Sequence, residues 1–118
     1  MEFQFKKNND LITRIKDCQR TLEKYPDRIP VICEKDPNSK IDTISKSRYL
    51  CPLDMNVSQF TFIIRQKLNL SETSSLFLLV GGKNTITGNL TMLEVYQNYK
   101  DKEDGFLYIT YASEIIWG

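Results

Sequence analysis

The sequence predicts an α+β fold, with one mixed four-stranded sheet, a helix across it and an additional N-terminal helical segment. Two patterns support this prediction. Three segments place apolar residues every three or four positions, which is typical of amphipathic helices. Four shorter segments alternate apolar and polar residues or are continuously apolar, as strands are. Their order along the chain is helix, strand, strand, helix, strand, helix, strand.

The first predicted helix covers residues 10–24. Its apolar stripe has steps of four, three and four positions and consists of Leu11, Ile15, Cys18 and Leu22. Asp10 is a favourable N-cap residue. The helix ends before Tyr25-Pro26, because the residue that precedes a proline avoids the helical region. We expect this helix to cover a part of the sheet that the central helix leaves open.

Two further helices are marked by capping boxes. Asn56 and Gln59 have this spacing at the start of a helix over residues 57–68. Thr91 and Glu94 repeat it at the start of a short helix that ends near residue 99. The apolar stripe of the longer helix consists of Val57, Phe60, Ile64 and Leu68, with Ile63 beside it.

Strands are predicted over residues 28–34, 48–52, 76–80 and 105–111. Pro30 has no N–H for a sheet ladder, so the first strand is expected to start at a sheet edge or at a bulge. A hairpin that is followed by a helix and further strands is the β-grasp arrangement. We therefore expect a single domain over residues 1–118, with an N-terminal helical extension at 1–24 and a β-grasp core at 28–118.

The composition is that of a globular protein with no strong electrostatic preference. Apolar residues make up 41% of the 118 positions and charged residues 26%, which does not fit a disordered chain. The net charge is +1, and the basic residues of the first helix are interleaved with Asp17 and Glu23. We expect no nucleic-acid partner.

No targeting segment is visible in the sequence. Residues 1–10 lack the apolar stretch of a signal peptide, and no run approaches the ~18 apolar residues of a transmembrane helix. The three cysteines are far apart, which fits reduced thiols better than a disulfide framework. These observations predict a cytoplasmic protein.

The chain contains no histidine, which limits the chemistry that it can perform. Nucleophile pairs of the Cys–His and Ser–His kinds are excluded, and so are zinc sites with histidine ligands. Three scattered cysteines make a poor metal site. We expect no enzyme activity, no metal ion and no bound cofactor.

The last residue, Gly118, suggests a different function for the chain. Glycine has no side chain and the widest backbone freedom of all residues, so a narrow enzyme channel can admit its carboxylate. A protein whose C-terminus is itself activated and transferred needs such an end. We expect Gly118 to be the point of conjugation.

Several separated segments of the chain resemble one protein family. They are Lys24-Tyr-Pro-Asp-Arg-Ile-Pro-Val-Ile32, Lys46-Ser-Arg-Tyr-Leu-Cys-Pro52, Val57-Ser-Gln-Phe60 with Ile63-Ile-Arg65, Asp104-Gly-Phe-Leu-Tyr108, Tyr111 and the terminal aromatic-glycine pair. In this order they resemble the GABARAP-like autophagy modifiers, ubiquitin-like proteins that are conjugated to a lipid. The similarity covers essentially the whole chain and implies a ubiquitin-like fold.

The resemblance implies conjugation through Gly118. The family glycine is activated as an acyl adenylate, passes as a thioester over cysteines of activating and conjugating enzymes, and ends as an amide on phosphatidylethanolamine. A cysteine protease acts in processing or delipidation. The catalytic cysteines belong to these partners, so Cys18, Cys33 and Cys51 need no catalytic role. The lipidated form is expected on the autophagosomal membrane.

The resemblance also implies that receptor proteins are captured through an extended Trp/Phe/Tyr-x-x-Leu/Ile/Val segment, which adds a strand beside residues 46–52. The aromatic pocket is then expected to comprise Asp17, Thr21, Pro30, Ile32, Arg48, Leu50 and Phe106. The aliphatic pocket is expected to comprise Tyr49, Cys51, Pro52, Met55, Val57, Phe60 and Ile63. The cations expected to contact acidic residues beside the peptide motif are Arg28, Lys46 and Arg48.

The chain departs from the family pattern in the loop at Gly81-Gly82 and residues 85–89 and at three single residues. Thr21 stands where the family usually has an aliphatic residue, so we predict a weaker or altered peptide preference. Cys51 replaces a common valine of similar volume, and Trp117 is bulkier than the residue often found beside the glycine. By periodicity alone, several pocket residues are also compatible with core positions. An unconjugated ubiquitin-like adaptor for trafficking or cytoskeletal partners stays open as an alternative function.

Overall fold

The computed structural model describes residues 2–82 and 84–114. Its helices are α1 (Gln4–Asn8), α2 (Leu11–Lys24), α3 (Val57–Leu68) and α4 (Met92–Tyr99). Its strands are β1 (Arg28–Lys35), β2 (Arg48–Pro52), β3 (Phe77–Val80), β4 (Asn84–Thr85) and β5 (Leu107–Ala112). The predicted α+β class is confirmed, and the bounds of α2, β2 and α3 agree with the sequence prediction to within one residue.

The strands form one mixed sheet in the order β2-β1-β5-β3-β4. β1 is antiparallel to β2 and parallel to β5, and β3 is antiparallel to both β5 and β4. The sheet therefore has five strands and not the predicted four. The additional strand, β4, has only two residues, which is too short for an alternating pattern to identify.

The helix α3 crosses one face of the sheet and buries the larger core. The predicted capping box is present, since the Asn56 side chain accepts from the Gln59 N–H and the Gln59 side chain accepts from the Asn56 N–H. The helix ends at Asn69, which has a left-handed conformation with φ 55°. The fully buried residues of this core include Val31, Phe60, Ile64, Met92, Val95, Leu107, Ile109 and Tyr111.

The N-terminal helices cover the opposite face. There, a smaller core consists of Cys18, Ile32 and Phe106, with α1 packed beside it. Gly105 precedes Phe106 with φ 87°, and a β-carbon at this position would lie 3.0 Å from the Cys18 sulfur. Glycine is needed here because other residues are strained at this φ and the adjacent space is already filled.

Within the predicted N-terminal helical extension, a separate helix α1 was not predicted, because its stability comes from distant residues. Phe3 packs edge-to-face on Tyr108 with ring centroids 4.9 Å apart, and Phe5 packs on Phe106 at 5.1 Å. The Glu34 carboxylate accepts from the N–H groups of Gln4 and Phe5 at 2.7 and 3.0 Å. A five-residue helix is unstable by itself, so these tertiary contacts decide its formation.

Of the two positions predicted for the strand start at Pro30, a sheet edge or a bulge, the sheet edge was wrong, because β1 is an internal strand. The Cys33 N–H donates to the Ser47 carbonyl at 2.7 Å, so alternate residues of β1 direct their backbone groups to β2. Pro30 lies an odd number of positions from Cys33, so its backbone nitrogen and carbonyl face β5 and not β2. Pairing with β5 begins only at Val31, so the missing N–H leaves no gap in the ladder.

Candidate functional site

Among the strands that the structure describes, β2 is the first in the sheet order, so its outer edge has no strand beside it. Tyr49 and Cys51 lie opposite Val31 and Ile29. Both pairs are an even number of residues away from the pair Cys33–Ser47, which is hydrogen-bonded between the two strands. They therefore direct their backbone groups inward, to β1. The alternate residues Arg48, Leu50 and Pro52 direct theirs outward. At Leu50 both an N–H and a carbonyl face outward.

The side chains of β2 alternate between the two faces of the sheet. Tyr49 and Cys51 belong to the core on the α3 face. Arg48 reaches across to α2 on the other face, and Leu50, which shares its phase, is 36% exposed there. The two predicted pockets are thus separated by the sheet, with the aromatic one on the α2 face and the aliphatic one on the α3 face.

On the α2 face, the predicted aromatic-pocket residues form two layers. Ile32 and Phe106 are 0% exposed, and Pro30 is also buried. They make a floor, above which Arg48 and Leu50 lie. The Arg48 guanidinium carbon is 5.3 Å from the centroid of the Phe106 ring. The structure therefore brings these residues together, with Arg48 over the floor.

Arg48 is held by two residues of α2. Its Nη1 donates to Asp17 Oδ2 at 2.7 Å, and its Nη2 donates to Asp17 Oδ1 at 2.6 Å and to Thr21 Oγ1 at 3.0 Å. These hydrogen bonds are the main reason why the pKa of Asp17 is lowered and that of Arg48 is raised. We call these three residues the Arg48 bridge. All three belong to the predicted aromatic pocket.

On the α3 face, an open groove of about 610 Å³ lies between β2 and α3. Its lining residues are Pro52, Asp54, Met55, Asn56, Ser58, Gln59, Phe62 and Ile63. Three of the predicted aliphatic-pocket residues, Pro52, Met55 and Ile63, are therefore accessible. The other four are buried beneath the surface: Tyr49, Cys51, Val57 and Phe60. Tyr49 and Phe60 pack edge-to-face with ring centroids 5.5 Å apart.

The sequence reasoning missed part of this groove. Phe62 is 58% exposed on the outer side of α3, and Asp54 and Gln59 line the groove beside it. Phe62 could have been identified from the sequence, because it is a large apolar residue that lies outside the apolar stripe of its helix. Polar groove residues such as Asp54 and Gln59 gave no such signal.

Two of the three predicted cations, Lys46 and Arg48, lie along the β2 edge, and Arg28 lies at the start of the adjacent strand β1. The Lys46 ammonium lies 5.2 Å from the centroid of the Tyr49 ring, and a groove of about 460 Å³ runs along residues 46–50. Arg28 lies opposite Pro52, at the other end of β2. Lys46 and Arg28 are thus about 20 Å apart along the strand direction, as a rise of roughly 3.3 Å per residue requires. They can contact different ends of one extended peptide.

None of the cysteines has the environment of a nucleophile. Burial raises the pKa of Cys18 to about 11 and that of Cys51 to about 12, and it also raises the pKa of Cys33. Their thiols stay protonated at neutral pH, whereas the thiolate is the reactive form. Within residues 2–82 and 84–114, no cluster of acidic or cysteine side chains could hold a metal ion.

The predicted conjugation residue, Gly118, and its neighbour Trp117 lie outside the described residues. No helix in the described part of the chain has the length and apolar character needed to cross a bilayer.

Comparison with known proteins identifies the family. A family model described as "Autophagy protein Atg8 ubiquitin like" matches residues 13–118. The chain is 46% identical to autophagy-related protein 8e of Arabidopsis thaliana over 114 residues, which cover 97% of this chain and 92% of that protein. It is 43% identical to autophagy-related protein 8 of Neosartorya fischeri over 118 residues, which cover 100% and 98%. The crystal structure of Trypanosoma brucei ATG8 superimposes with a TM-score of 0.90 at 33% identity, covering 100% of both chains. The chain therefore belongs to the Atg8 family of ubiquitin-like autophagy proteins.

Proposed function

We propose that this chain is a modifier that is conjugated through Gly118 to phosphatidylethanolamine and recruits receptor proteins to the autophagosomal membrane. Membership of the Atg8 family supports the conjugation, and the free edge of β2 supports the recruitment. The segments at residues 24–32 and 46–52 favour the GABARAP-like branch of the family. In this function the chain is a substrate and a binding module, and not an enzyme.

The proposed conjugation takes every catalytic group from partner enzymes. The Gly118 carboxylate attacks the α-phosphate of ATP and releases pyrophosphate. A cysteine thiolate of the activating enzyme displaces AMP, and a cysteine of the conjugating enzyme accepts the acyl group. The amine of phosphatidylethanolamine then attacks this thioester and releases the thiol. A cysteine protease hydrolyses the product or a precursor. The protonated, buried cysteines of this chain fit the absence of any catalytic role.

The geometry of β2 supports capture of a Trp/Phe/Tyr-x-x-Leu/Ile/Val peptide. A peptide that pairs with the free edge adds one more strand to the sheet. Its side chains then alternate between the two faces, so residues three positions apart point to opposite faces. The aromatic and aliphatic sites also lie on opposite faces. Two intervening residues are therefore compatible with the positions of the two sites, whereas a single intervening residue is not. This agreement is the observation that carries the proposal.

The lipid adduct on Gly118 can be tested by reconstitution. Full-length chain, cognate activating and conjugating enzymes, ATP and phosphatidylethanolamine liposomes are incubated, and products are identified by mass spectrometry. We expect an adduct on the terminal glycine that is lost in Gly118→Ala, because an added methyl group obstructs the channel that admits the carboxylate. The absence of any adduct, when the enzymes modify a control substrate, would contradict conjugation. An adduct of equal yield in Gly118→Ala would contradict the need for glycine at the point of attachment.

Peptide capture by the strand edge predicts a difference between two variants of Leu50. Leu50→Ala removes the side chain, whereas Leu50→Pro also removes the outward N–H. The strand accepts a proline at a position whose backbone nitrogen faces outward, since Pro52 occupies such a position two residues further along β2. We expect Leu50→Pro to bind a Trp-x-x-Leu peptide about tenfold more weakly than Leu50→Ala, the loss that one missing backbone hydrogen bond causes. Isothermal titration calorimetry measures both affinities.

A second peptide serves as control for the register. Trp-x-Leu places both anchors on one face, so its binding is expected to be weak to all variants. Equal binding of the two peptides, or equal affinity of Leu50→Pro and Leu50→Ala, would show that no strand is added. Peptide capture without a lipid adduct would favour the alternative, an unconjugated adaptor for trafficking or cytoskeletal partners.

A further inference from the structure

The Arg48 bridge closes the floor of the aromatic pocket in the free protein. Three hydrogen bonds connect its guanidinium to Asp17 and Thr21 across the gap between β2 and α2. The floor residues Ile32 and Phe106 are 0% exposed beneath it. A ring that enters from the free edge can reach Phe106 only if Arg48 moves away, because the guanidinium carbon already lies over that ring, 5.3 Å from its centroid.

Opening the bridge leaves the Thr21 hydroxyl with an unused acceptor site. Thr21 Oγ1 donates its proton to the Asp17 carbonyl at 2.8 Å, the usual bond of a helical threonine to the preceding turn, and it has a longer contact of 3.5 Å with Asp17 Oδ1. It accepts only from Arg48 Nη2. When Arg48 moves, the Thr21 hydroxyl keeps Asp17 as the acceptor of its proton, through either the carbonyl or the carboxylate. The acceptor site that Arg48 leaves on the Thr21 oxygen can be filled only by another donor.

A donor on the incoming ring can satisfy this oxygen. The indole of tryptophan carries an N–H and tyrosine carries an O–H, whereas phenylalanine carries no donor. A phenyl ring would exclude water from the Thr21 oxygen without replacing the lost bond. Sites that hydrogen-bond a ligand group discriminate strongly against analogues that lack the group, because the polar atom of the site is left unpaired.

We propose that Thr21 determines the aromatic specificity of this chain, by accepting a hydrogen bond from the ring that displaces Arg48. The inference rests on the proposed peptide capture and adds to it a preference for indole and phenol rings over phenyl rings. Thr21 thus has two functions: it holds the pocket closed in the free protein, and it receives the donor of the bound ring.

Two peptides that differ in one atom test the proposal. The first carries tryptophan in a Trp-x-x-Leu motif, and the second carries 3-benzothienylalanine, in which sulfur replaces the indole N–H. The two rings have nearly the same shape, so their affinity ratio reports the hydrogen bond. For the unmodified chain we expect the tryptophan peptide to bind about tenfold more tightly.

Two substitutions of Thr21 distinguish the effect of its hydroxyl group from the effect of its side-chain shape. Thr21→Val keeps the volume and removes the oxygen, and it is expected to reduce the ratio to within about twofold. The benzothienyl peptide should gain affinity, since Arg48 has lost one of its bonds. Thr21→Ser keeps the oxygen and should retain the ratio. Thr61→Val is the matched control, because Thr61 makes the same bond to the preceding turn, at 2.7 Å, but lies on α3.

Each outcome has a defined meaning. A ratio near one for the unmodified chain, or an unchanged ratio in Thr21→Val, overturns the role of Thr21 while peptide capture stands. An equal fall of the ratio in Thr61→Val also overturns it, since the effect would then be general to helical threonines. If neither peptide binds the unmodified chain, the proposed capture itself fails. Thermal unfolding of every variant confirms that the compared proteins are folded.

Discussion

Replacing Arg14 with methionine is expected to lower the free energy of unfolding by about 3–5 kcal/mol, the loss typical of a buried ion pair that loses one partner. Arg14 Nε donates to Asp104 Oδ2 at 2.9 Å, and the Asp104 side chain has no exposed surface. Methionine fills much of the volume of the arginine side chain. The lost free energy of unfolding therefore reflects mainly the Asp104 carboxylate, which remains buried without its cation. An uncompensated carboxylate in this position has no access to water.

The surroundings of Asp104 prevent an easy adjustment. Its Oδ1 accepts from the Phe106 N–H at 2.9 Å, and its Oδ2 also accepts from the Tyr108 hydroxyl. Burial, together with this bond, holds the pKa of Tyr108 well above its usual range, so Tyr108 stays a donor. Arg14 Nη1 further donates to the Asn9 carbonyl at 2.7 Å, which ties the chain between α1 and α2. The variant therefore loosens both elements.

Urea unfolding measures this change, and two variants calibrate it. Lys16→Met removes an exposed cation from the same helix and should change the free energy of unfolding by less than about 0.5 kcal/mol. Arg14→Met combined with Asp104→Asn removes the unpaired charge and should recover part of the stability. A loss below about 1 kcal/mol in Arg14→Met would mean that water or a shifted proton compensates the carboxylate.

Replacing Phe60 with alanine is expected to lower the free energy of unfolding by about 3–5 kcal/mol, as for other buried aromatic residues. Phe60 has no exposed surface and packs edge-to-face on Tyr49. The substitution would leave a cavity in the core where α3 packs against the sheet. Thermal or urea unfolding measures the effect.

Phe62→Ala provides the matched control, because it makes the same change two positions further along the same helix. Phe62 is 58% exposed, so its loss should cost less than about 0.5 kcal/mol. Equal losses in the two variants would contradict the burial described for Phe60. The comparison also matters for mapping the peptide site. Weak binding by Phe60→Ala would report a damaged fold, whereas Met55 and Ile63 line the groove directly.

The sequence predicts the elements of this fold well where local chemistry specifies them. The capping boxes at Asn56 and Thr91 and the stop at Pro26 depend on neighbouring residues, and they are present as predicted. The helix α1 could not be predicted in this way, because Glu34 and Tyr108 stabilise it from distant positions. The internal place of β1 also depends on a remote partner, β5.

The candidate site shows the same division. The family resemblance named residues that the structure gathers around β2, but it could not separate the accessible Met55 and Ile63 from the buried Phe60. That distinction depends on three-dimensional packing, since all three residues are apolar and lie within nine positions. The hydrogen bonds of Thr21 likewise need a partner, Arg48, that is brought close only by the folded sheet.

The central place of β5 determines the order in which this protein can fold. Among the described strands β5 comes last in sequence, yet Val31 in β1 pairs with Leu107 and β3 also pairs with β5. During synthesis, the β1–β2 hairpin emerges early and has no neighbour on its inner side until residues 107–112 have left the ribosome. Folding is therefore governed by long-range contacts and is slower than in helical proteins of this size. Until β5 is available, the β1–β2 hairpin exposes two unpaired edges, and an unpaired edge can pair with other chains. In the folded protein β5 covers the inner edge, whereas the outer edge of β2 stays open among the described strands.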